Sequence, residues 1–321
     1  MYAIDQTTKQ LVEYNPTTSS ATVIRDLDFL VTGADGNALA YDTTSDRLWF
    51  FDSTFNLRYY DRGSSTSPVV ATSSDVQSLL GLGSSPVLQF ANASFFDGDY
   101  WFIYPGTTAS PTARLARLRF NNPAGPNPTF NSGTSSTYTL NYDGTGTGLN
   151  LNLRTFGDIA IDAVNQKLIG ATARINLDGS PVASSTRSVL FSVDLASRNT
   201  ASSLNVDTIS ALSGTAPAAL QLAWDSNYQT LYGVANTVVS DDGTSVSPQA
   251  SGVWYQIDPA TGSLTPMPFS TSGTTINDLA GSSATADPNI VPDPVPGPLP
   301  LFGAGAAFAW SRRLRRRYPA A

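Results

Sequence analysis

The stretch Asn37 to Asp61, "NALAYDTTSDRLWFFDSTFNLRYYD", decides how this chain is read. Three short apolar or aromatic runs, "NALAY", "RLWFF" and "LRYY", are each followed by Asp and separated by polar turn residues. Runs of this length, rich in aromatic residues, predict strands and not helix. Asp after each run marks a turn, because its side chain can bond to backbone amides just ahead of it.

The same order of strand, Asp, turn, strand and strand recurs along the chain. It reads "FANASFFDGDYWFIYP" from Phe90 with "ARLARLRF" after it, "FGDIAIDAVNQKLIGATAR" from Phe156 with "VLFSVD" after it, and "LQLAWDSNYQTLYGVANT" from Leu220 with "GVWYQIDPATGSL" after it. The turn-marking aspartates fall at Asp42, Asp97, Asp162 and Asp225, a period of roughly 55 to 65 residues, enough for four antiparallel strands with generous loops. Each unit closes on a weaker strand, as in "STYTLNYD" and "SLTPMPF". A four-stranded sheet repeated about an axis is a propeller blade.

The two ends complete the count. "MYAIDQTTKQLVEYNPTTSSATVI" has the second, third and fourth strands of a unit, and "TTINDLAG" (Thr274 to Gly281) has a first strand with nothing after it. Joined, they make one unit. The expectation is an all-β fold, a β-propeller of five four-stranded blades closed by pairing of the N- and C-terminal strands, which leaves no open end to the ring. The alternatives are an open β-sandwich or two smaller β domains. The propeller spans residues 1–286, a Pro-rich linker 287–298, and a short apolar and basic tail 299–321.

Composition narrows the chemistry. The chain has 321 residues and neither Cys nor His, which excludes thiol nucleophiles, disulfides, the usual zinc ligand sets and any imidazole base. A chain without Cys can be exported with nothing to oxidise. The net charge is −7 although five of the 18 basic residues, Arg312, Arg313, Arg315, Arg316 and Arg317, stand together near the C-terminus. The remainder is more acidic still, so nucleic acid is not an expected partner.

The repeats resemble those of extracytoplasmic bacterial propellers, whose blades read LA-x-D-x-x-x-x-x-LY followed by ID-P-x-T-G. Asp258-Pro259-Ala260-Thr261-Gly262 is the clearest copy here and Asn15-Pro16-Thr17-Thr18 a degenerate one. This motif sets a turn and specifies fold, not chemistry. In the last two full units the second and third strands run on into "INLDGSPV" and "VVSDDGTSV", where Asp178-Gly179 and Asp242-Gly243 favour hairpin turns. These hairpins should project from the face that also carries the long Gly/Pro/Ser connections near 63–86 and 121–150. That loop-rich face is the expected ligand side, with Asp178, Gly179, Asp241, Asp242 and Gly243 as candidate contacts.

From Asp287 the composition turns to "DPNIVPDPVPGPLP", too rich in proline for a sheet and suited to an extended linker. The ten residues Leu301 to Trp310 are apolar or small. As a helix they would span about 15 Å, roughly half a bilayer's hydrocarbon core, so they suit a transient membrane contact better than a lasting anchor. Arginines on the cytoplasmic side would leave the propeller outside. Val295, Pro296, Gly297, Pro298, Leu299 and Pro300, then the run from Leu301, then Arg312 to Arg317, together resemble the PEP-CTERM sorting signal. That resemblance implies a Gram-negative bacterial source, cleavage near the proline motif by a membrane enzyme, the exosortase, and delivery to the outer surface or extracellular matrix. Pro296-Gly297-Pro298 stands where the family has Pro-Glu-Pro, which leaves the cleavage position open. An exported chain calls for a signal peptide, and Met1 stands instead inside a strand pattern, so an in-frame signal peptide upstream of Met1 is expected.

Asp42, Asp97, Asp162 and Asp225 could be taken for catalytic carboxylates of the kind glycoside hydrolases pair. Their recurrence at matching places suits turns better than one asymmetric site. Calcium is the one cofactor to weigh, through Asp143-Gly144-Thr145-Gly146 and Ser240-Asp241-Asp242-Gly243, but neither has the ligand density of a known calcium loop. Tyr59, Tyr60, Trp101, Trp254 and Tyr255 are candidates for stacking on sugars, at least half of which should be core. No nucleotide loop or nucleophile elbow is present. Two functions remain: a non-catalytic envelope or matrix protein binding exopolysaccharide or surface proteins, and a hydrolase or lyase acting on a carbohydrate or small ester through axial carboxylates. Unrepeated acidic residues at the axis would favour the enzyme, and repeat-equivalent apolar and small residues there would favour the binder.

Overall fold

In the computed structural model the chain divides into two units, Met1–Ala286 and Asp287–Ala321. The structure describes residues 1–15, 18–26, 37–62, 64, 66–82, 92–104, 113–142, 156–172, 189–211, 216–227, 229–241, 246–271 and 273–282, all in the first unit. The linker and tail, and with them every candidate sorting residue from Val295 to Arg317, lie outside the described residues.

The fold is all-β. The N-terminal strands are β1 (Tyr2–Asp5), β2 (Gln10–Asn15) and β3 (Ser20–Asp26), followed by β4 (Asn37–Asp42), β5 (Arg47–Phe51), β6 (Leu57–Asp61) and β7 (Val69–Ala71). Next come β8 (Ser94–Phe96), β9 (Asp99–Tyr104), β10 (Arg114–Leu118), a small pair β11 (Phe120–Asn121) and β12 (Thr129–Phe130), and β13 (Ser136–Tyr142). The second half holds β14 (Phe156–Asp162), β15 (Lys167–Thr172), β16 (Val189–Asp194), β17 (Ser203–Ala211), β18 (Ala216–Asp225), β19 (Thr230–Asp241), β20 (Val246–Ile257), β21 (Leu264–Ser270) and β22 (Ile276–Ala280).

Three sheets are four-stranded, in the orders β22-β1-β2-β3, β4-β5-β6-β7 and β18-β19-β20-β21, and one is eight-stranded, β14-β15-β16-β17-β13-β10-β9-β8. The last strand therefore pairs with the first: β22 lies antiparallel to β1, with Tyr2 opposite Ala280 and Ala3 opposite Leu279. The eight-stranded sheet is two four-stranded units joined through their outer strands, because β13 and β17 pair in parallel from Thr139↔Ser203 to Tyr142↔Val206. Separate four-stranded sheets are what the repeats predict. The fusion satisfies two edges at once, and Leu140, Leu204 and Val206 share one hydrophobic cluster beneath it.

The first strands of the units touch in succession: β4 meets β8, β8 meets β14, β14 meets β18, β18 meets β22, and β22 meets β4. Five hydrophobic clusters among the described residues lie between successive four-stranded units, which explains why many strands run apolar without a break. In β5, Leu48 and Phe50 enter the cluster shared with β1, whereas Trp49 and Phe51 enter the one shared with β9. In β9, Tyr100 and Phe102 take the side of β5, and Trp101 and Ile103 take the side of β14. A strand with both faces covered needs no polar alternation.

One element departs from the expected loop. Within the stretch 63–86 lies a helix, α1 (Ser73–Leu80), entered through a capping box: Thr72 accepts from the Asp75 amide, and the Asp75 carboxylate accepts from the Thr72 amide. Val76 and Leu80, one turn apart, bury its inner face, and Gly81 ends it in the left-handed region at φ 65°. The capping pair and the Val76/Leu80 spacing signal this helix inside a serine-rich segment.

Candidate functional site

The turn aspartates act through one repeated device. Asp42 accepts from the Thr44 amide at 2.9 Å and from the Ser45 hydroxyl, Asp162 from the Val164 and Asn165 amides at 3.1 Å each, and Asp225 from the Asn227 amide at 3.0 Å. Asp5 does the same with Thr7 and Thr8. In each, the residue four places on sits at positive φ: Lys9, Asp46, Gln166 and Gln229. Asp97 does not belong to this set. Phe96 pairs with Asp99, so Asp97 and Gly98 are the two central residues of a tight hairpin, at φ 57° and 78°, the geometry of a type I′ turn. Its equivalence with Asp42 and Asp162 is therefore one of sequence position only. Asp258 also sets a turn, accepting from the Ala260 amide at 2.9 Å and the Thr261 hydroxyl at 2.7 Å.

Counting back four residues from each turn position gives a row on the first strands: Ala38, Ala93, Asp158, Gln221 and, four before Ser282, Asp278. Here the repeat breaks, and two carboxyl groups with no exposed surface meet. Each first strand has one edge paired with its own second strand, so the amides of the other edge need partners. The carboxylates supply them. Asp158 accepts from the Ala93 amide at 3.2 Å, from Ile159 at 2.7 Å and, across the axis, from Leu279 at 3.2 Å. Asp278 accepts from Leu39 at 2.5 Å and from Leu279 at 3.0 Å. The Leu279 amide is shared between the two carboxyls, which places them side by side. Burial, first of all, drives both above the ordinary carboxylate range, and the neighbouring acid adds to this for Asp158. The Tyr100 hydroxyl, fully buried nearby, donates to the Ala38 carbonyl, and burial raises its ionisation well above the usual tyrosine range. Gln221 completes the row on β18; its Oε1 has no partner among the described residues.

Toward the other end of the first strands the axial space is lined by Ala40, Ser94, Ala160, Ala223, Ala280 and Trp224, among others, which leave no room for a water molecule. Two glycines let backbones close in: a Cβ on Gly281 would lie 2.1 Å from the Trp224 carbonyl oxygen, and one on Gly157 would lie 2.4 Å from that of Leu220. At the turn end, the Ser226 amide donates to the Ser282 carbonyl at 3.1 Å.

The other candidates scatter. Asp178, Gly179, Asp242 and Gly243 lie outside the described residues, and Asp241 is known by its backbone, paired with Val246 at the outer end of the long β19–β20 hairpin. Tyr59, Tyr60, Trp101 and Trp254 are buried in the clusters and Tyr255 is half-buried, so four of the five aromatic candidates are core. Among the described residues no group of three or more acidic side chains converges on a metal position, and no helix is long and apolar enough to cross a membrane. The Asp158/Asp278 pair is the functional candidate that the repeat motif hides; the signal for it is the change from Ala to Asp at one fixed offset from the turn.

No protein-family model matches the chain, and no curated protein sequence matches it. Among solved structures it is similar to a chain of a nidogen/laminin complex (TM-score 0.43, 10% identity, 83% of this chain and 87% of that one). It is also similar to a gluconolactonase from Xanthomonas campestris (TM-score 0.42, 12%, 83% and 71%) and to the β-propeller domain of Cps50 (Swd1) from Myceliophteria thermophila (TM-score 0.32, 7%, 83% and 92%).

Proposed function

We propose that this protein is an exported, non-catalytic β-propeller of five blades, closed by β22 on β1, that presents its loop face to exopolysaccharide or to other surface proteins. The observation that carries the non-catalytic reading is the state of the axis. Its only unrepeated carboxylates among the described residues, Asp158 and Asp278, have no exposed surface, and backbone amides occupy their oxygens. A general acid or nucleophile needs a face open to substrate, and these have none. Repeat-equivalent alanines fill the space beside them. Export rests on the tail, which would hold the chain briefly in the inner membrane until an exosortase-type enzyme cuts near Pro296 to Pro300.

The test has two arms. Residues 1–286, applied to a glycan array and to a pull-down from envelope material, should retain a polysaccharide or a surface protein while turning over no ester, lactone or glycoside. In a host that carries an exosortase, intact-mass measurement should find a mature form lacking Arg312 to Arg317. Turnover abolished by Asp158→Asn with the fold intact would replace this reading by the hydrolase or lyase, which the pairing of two unrepeated carboxyls at the axis favours. Full-length wild-type chain at the outer surface, arginines included, would remove the sorting role.

A further inference from the structure

We propose that Asp158 and Asp278 hold a single proton between them at neutral pH, and that this proton clasps the closing strand β22 to β4 and β14, so that its loss to solvent releases β22. The geometry leaves little alternative. Among the described residues the groups aimed at the two carboxyls are backbone amides, and one of them, Leu279, donates its single hydrogen to an oxygen of each acid, at 3.2 Å and 3.0 Å, so the two unexposed carboxyls stand side by side with no cation between them. The strands involved make the consequence specific. Asp278 belongs to β22 and reaches β4 through the Leu39 amide; Asp158 belongs to β14, reaches the Ala93 amide ahead of β8, and takes the Leu279 amide of β22 from across the axis. With the proton in place, four of the five first-strand segments meet at one hydrogen-bonded knot.

Among the described residues the titratable groups that face the pair are each acid itself and Tyr100 of β9, whose hydroxyl is turned to the Ala38 carbonyl; Gln221 on β18 carries no charge. Removing the shared proton leaves two adjacent anions with no exposed surface. The strand best able to relieve that repulsion is β22, which is reached through the turn at Thr271 to Thr274 and lies at the margin of its sheet, paired with β1. The device therefore links the proton activity of the surroundings to whether the first and last strands stay joined.

Hydrogen exchange on the full chain, read as protection factors from about pH 6 to about pH 9, tests this directly. Protection of residues 276–280 and of β1 should fall about tenfold per pH unit, the slope of one linked proton, while β5 and β6 hold theirs. Asp158→Asn and Asp278→Asn, which keep shape and supply a donor without titrating, should flatten that slope. Infrared spectroscopy of the wild type should show a protonated carboxyl at neutral pH, which needs no variant to fold. Unchanged protection of β22 across the range, equal loss in every strand, or the absence of a protonated carboxyl would each overturn the proposal.

Discussion

Ending the chain after Gly273 removes β22 and should nearly unfold the protein, whereas ending it after Ala286 should leave the melting temperature in place. The first truncation strips Ile276 and Leu279, both with no exposed surface, from the cluster that holds Ala3, Val12 and Trp254. Deleting a fully buried Ile or Leu side chain down to Ala costs about 2 to 5 kcal/mol, so the two together account for about 4 to 10 kcal/mol. The cut also strips β1 of its pairing from Tyr2 to Asp5 and leaves Asp158 without the Leu279 amide and the second carboxyl. Against a total stability of about 5 to 15 kcal/mol, that loss consumes most of the margin. The milder variant Leu279→Ala, at about 2 to 5 kcal/mol, should lower the melting temperature by roughly 5 to 15 °C in a domain of this size. Circular dichroism melts of the two truncations and the point variant decide the matter. A chain ending after Gly273 that melts within about 2 °C of one ending after Ala286, a difference worth about 1 kcal/mol or less, would refute the view that β22 closes the fold.

Gly281→Ala and Gly157→Ala should each cost several kcal/mol, since the added carbon would meet backbone at 2.1 and 2.4 Å, while Gly133→Ala, whose new carbon would find only the Asn131 side chain at 3.6 Å, should change the melt little. Arg117→Met should destabilise by about 3 to 5 kcal/mol in chemical denaturation, because Arg117 Nε lies 2.5 Å from Asp99 Oδ2 with both side chains buried, and the change leaves Asp99 to Arg119 alone at 3.4 Å. Burial pushes the carboxyls of Asp158 and Asp278 up, the latter to about 7, so above about pH 4 the folded chain holds protons the unfolded chain has released. Stability should therefore be fully present below about pH 4 and decline as pH rises through about 7 and beyond, by about 1.4 kcal/mol per pH unit for each linked proton; the Asp278→Asn variant should show a flatter curve, and a wild-type curve no steeper than the variant's would defeat the argument. Chelator and added calcium should each leave the melt of the folded unit unchanged, as followed by calorimetry.

How far the sequence was legible follows from what each residue type can do locally. The strands could be read because apolar runs of five or six residues admit few other structures, and the closing pair could be read because β22 and the N-terminal strands are complementary fragments of one unit. The turn aspartates were legible for the same reason, their bonds reaching only two or three residues ahead. Asp97 was misplaced because Gly98 offers a tighter turn than the four-residue loops elsewhere, and a shared Asp does not distinguish them. The helix α1 escaped because serine content outweighed its two decisive signals, the Thr72/Asp75 cap and the Val76/Leu80 spacing.

The axial pair was opaque for a deeper reason. Nothing near Asp158 or Asp278 in the chain predicts burial: one sits in "FGDIAID" and the other in "TTINDLAG", 120 residues apart. What makes them a pair is closure, which brings the last first-strand alongside the others and leaves inward-facing amides with no strand to bond. Once closure is granted, those amides demand acceptors, and an aspartate four residues before the turn position is at the right depth to provide them. The side chains of Ala38 and Ala93 offer no acceptor, so two carboxyls serve the row between them and the neighbouring strands lend their amides. The departure from the repeat thus falls where the Leu39, Ala93 and Leu279 amides take a side-chain acceptor. The repeat therefore carries the plan of the strands and turns, while the two acids that tie β22 to β4 and β14 stand where the repeat is broken.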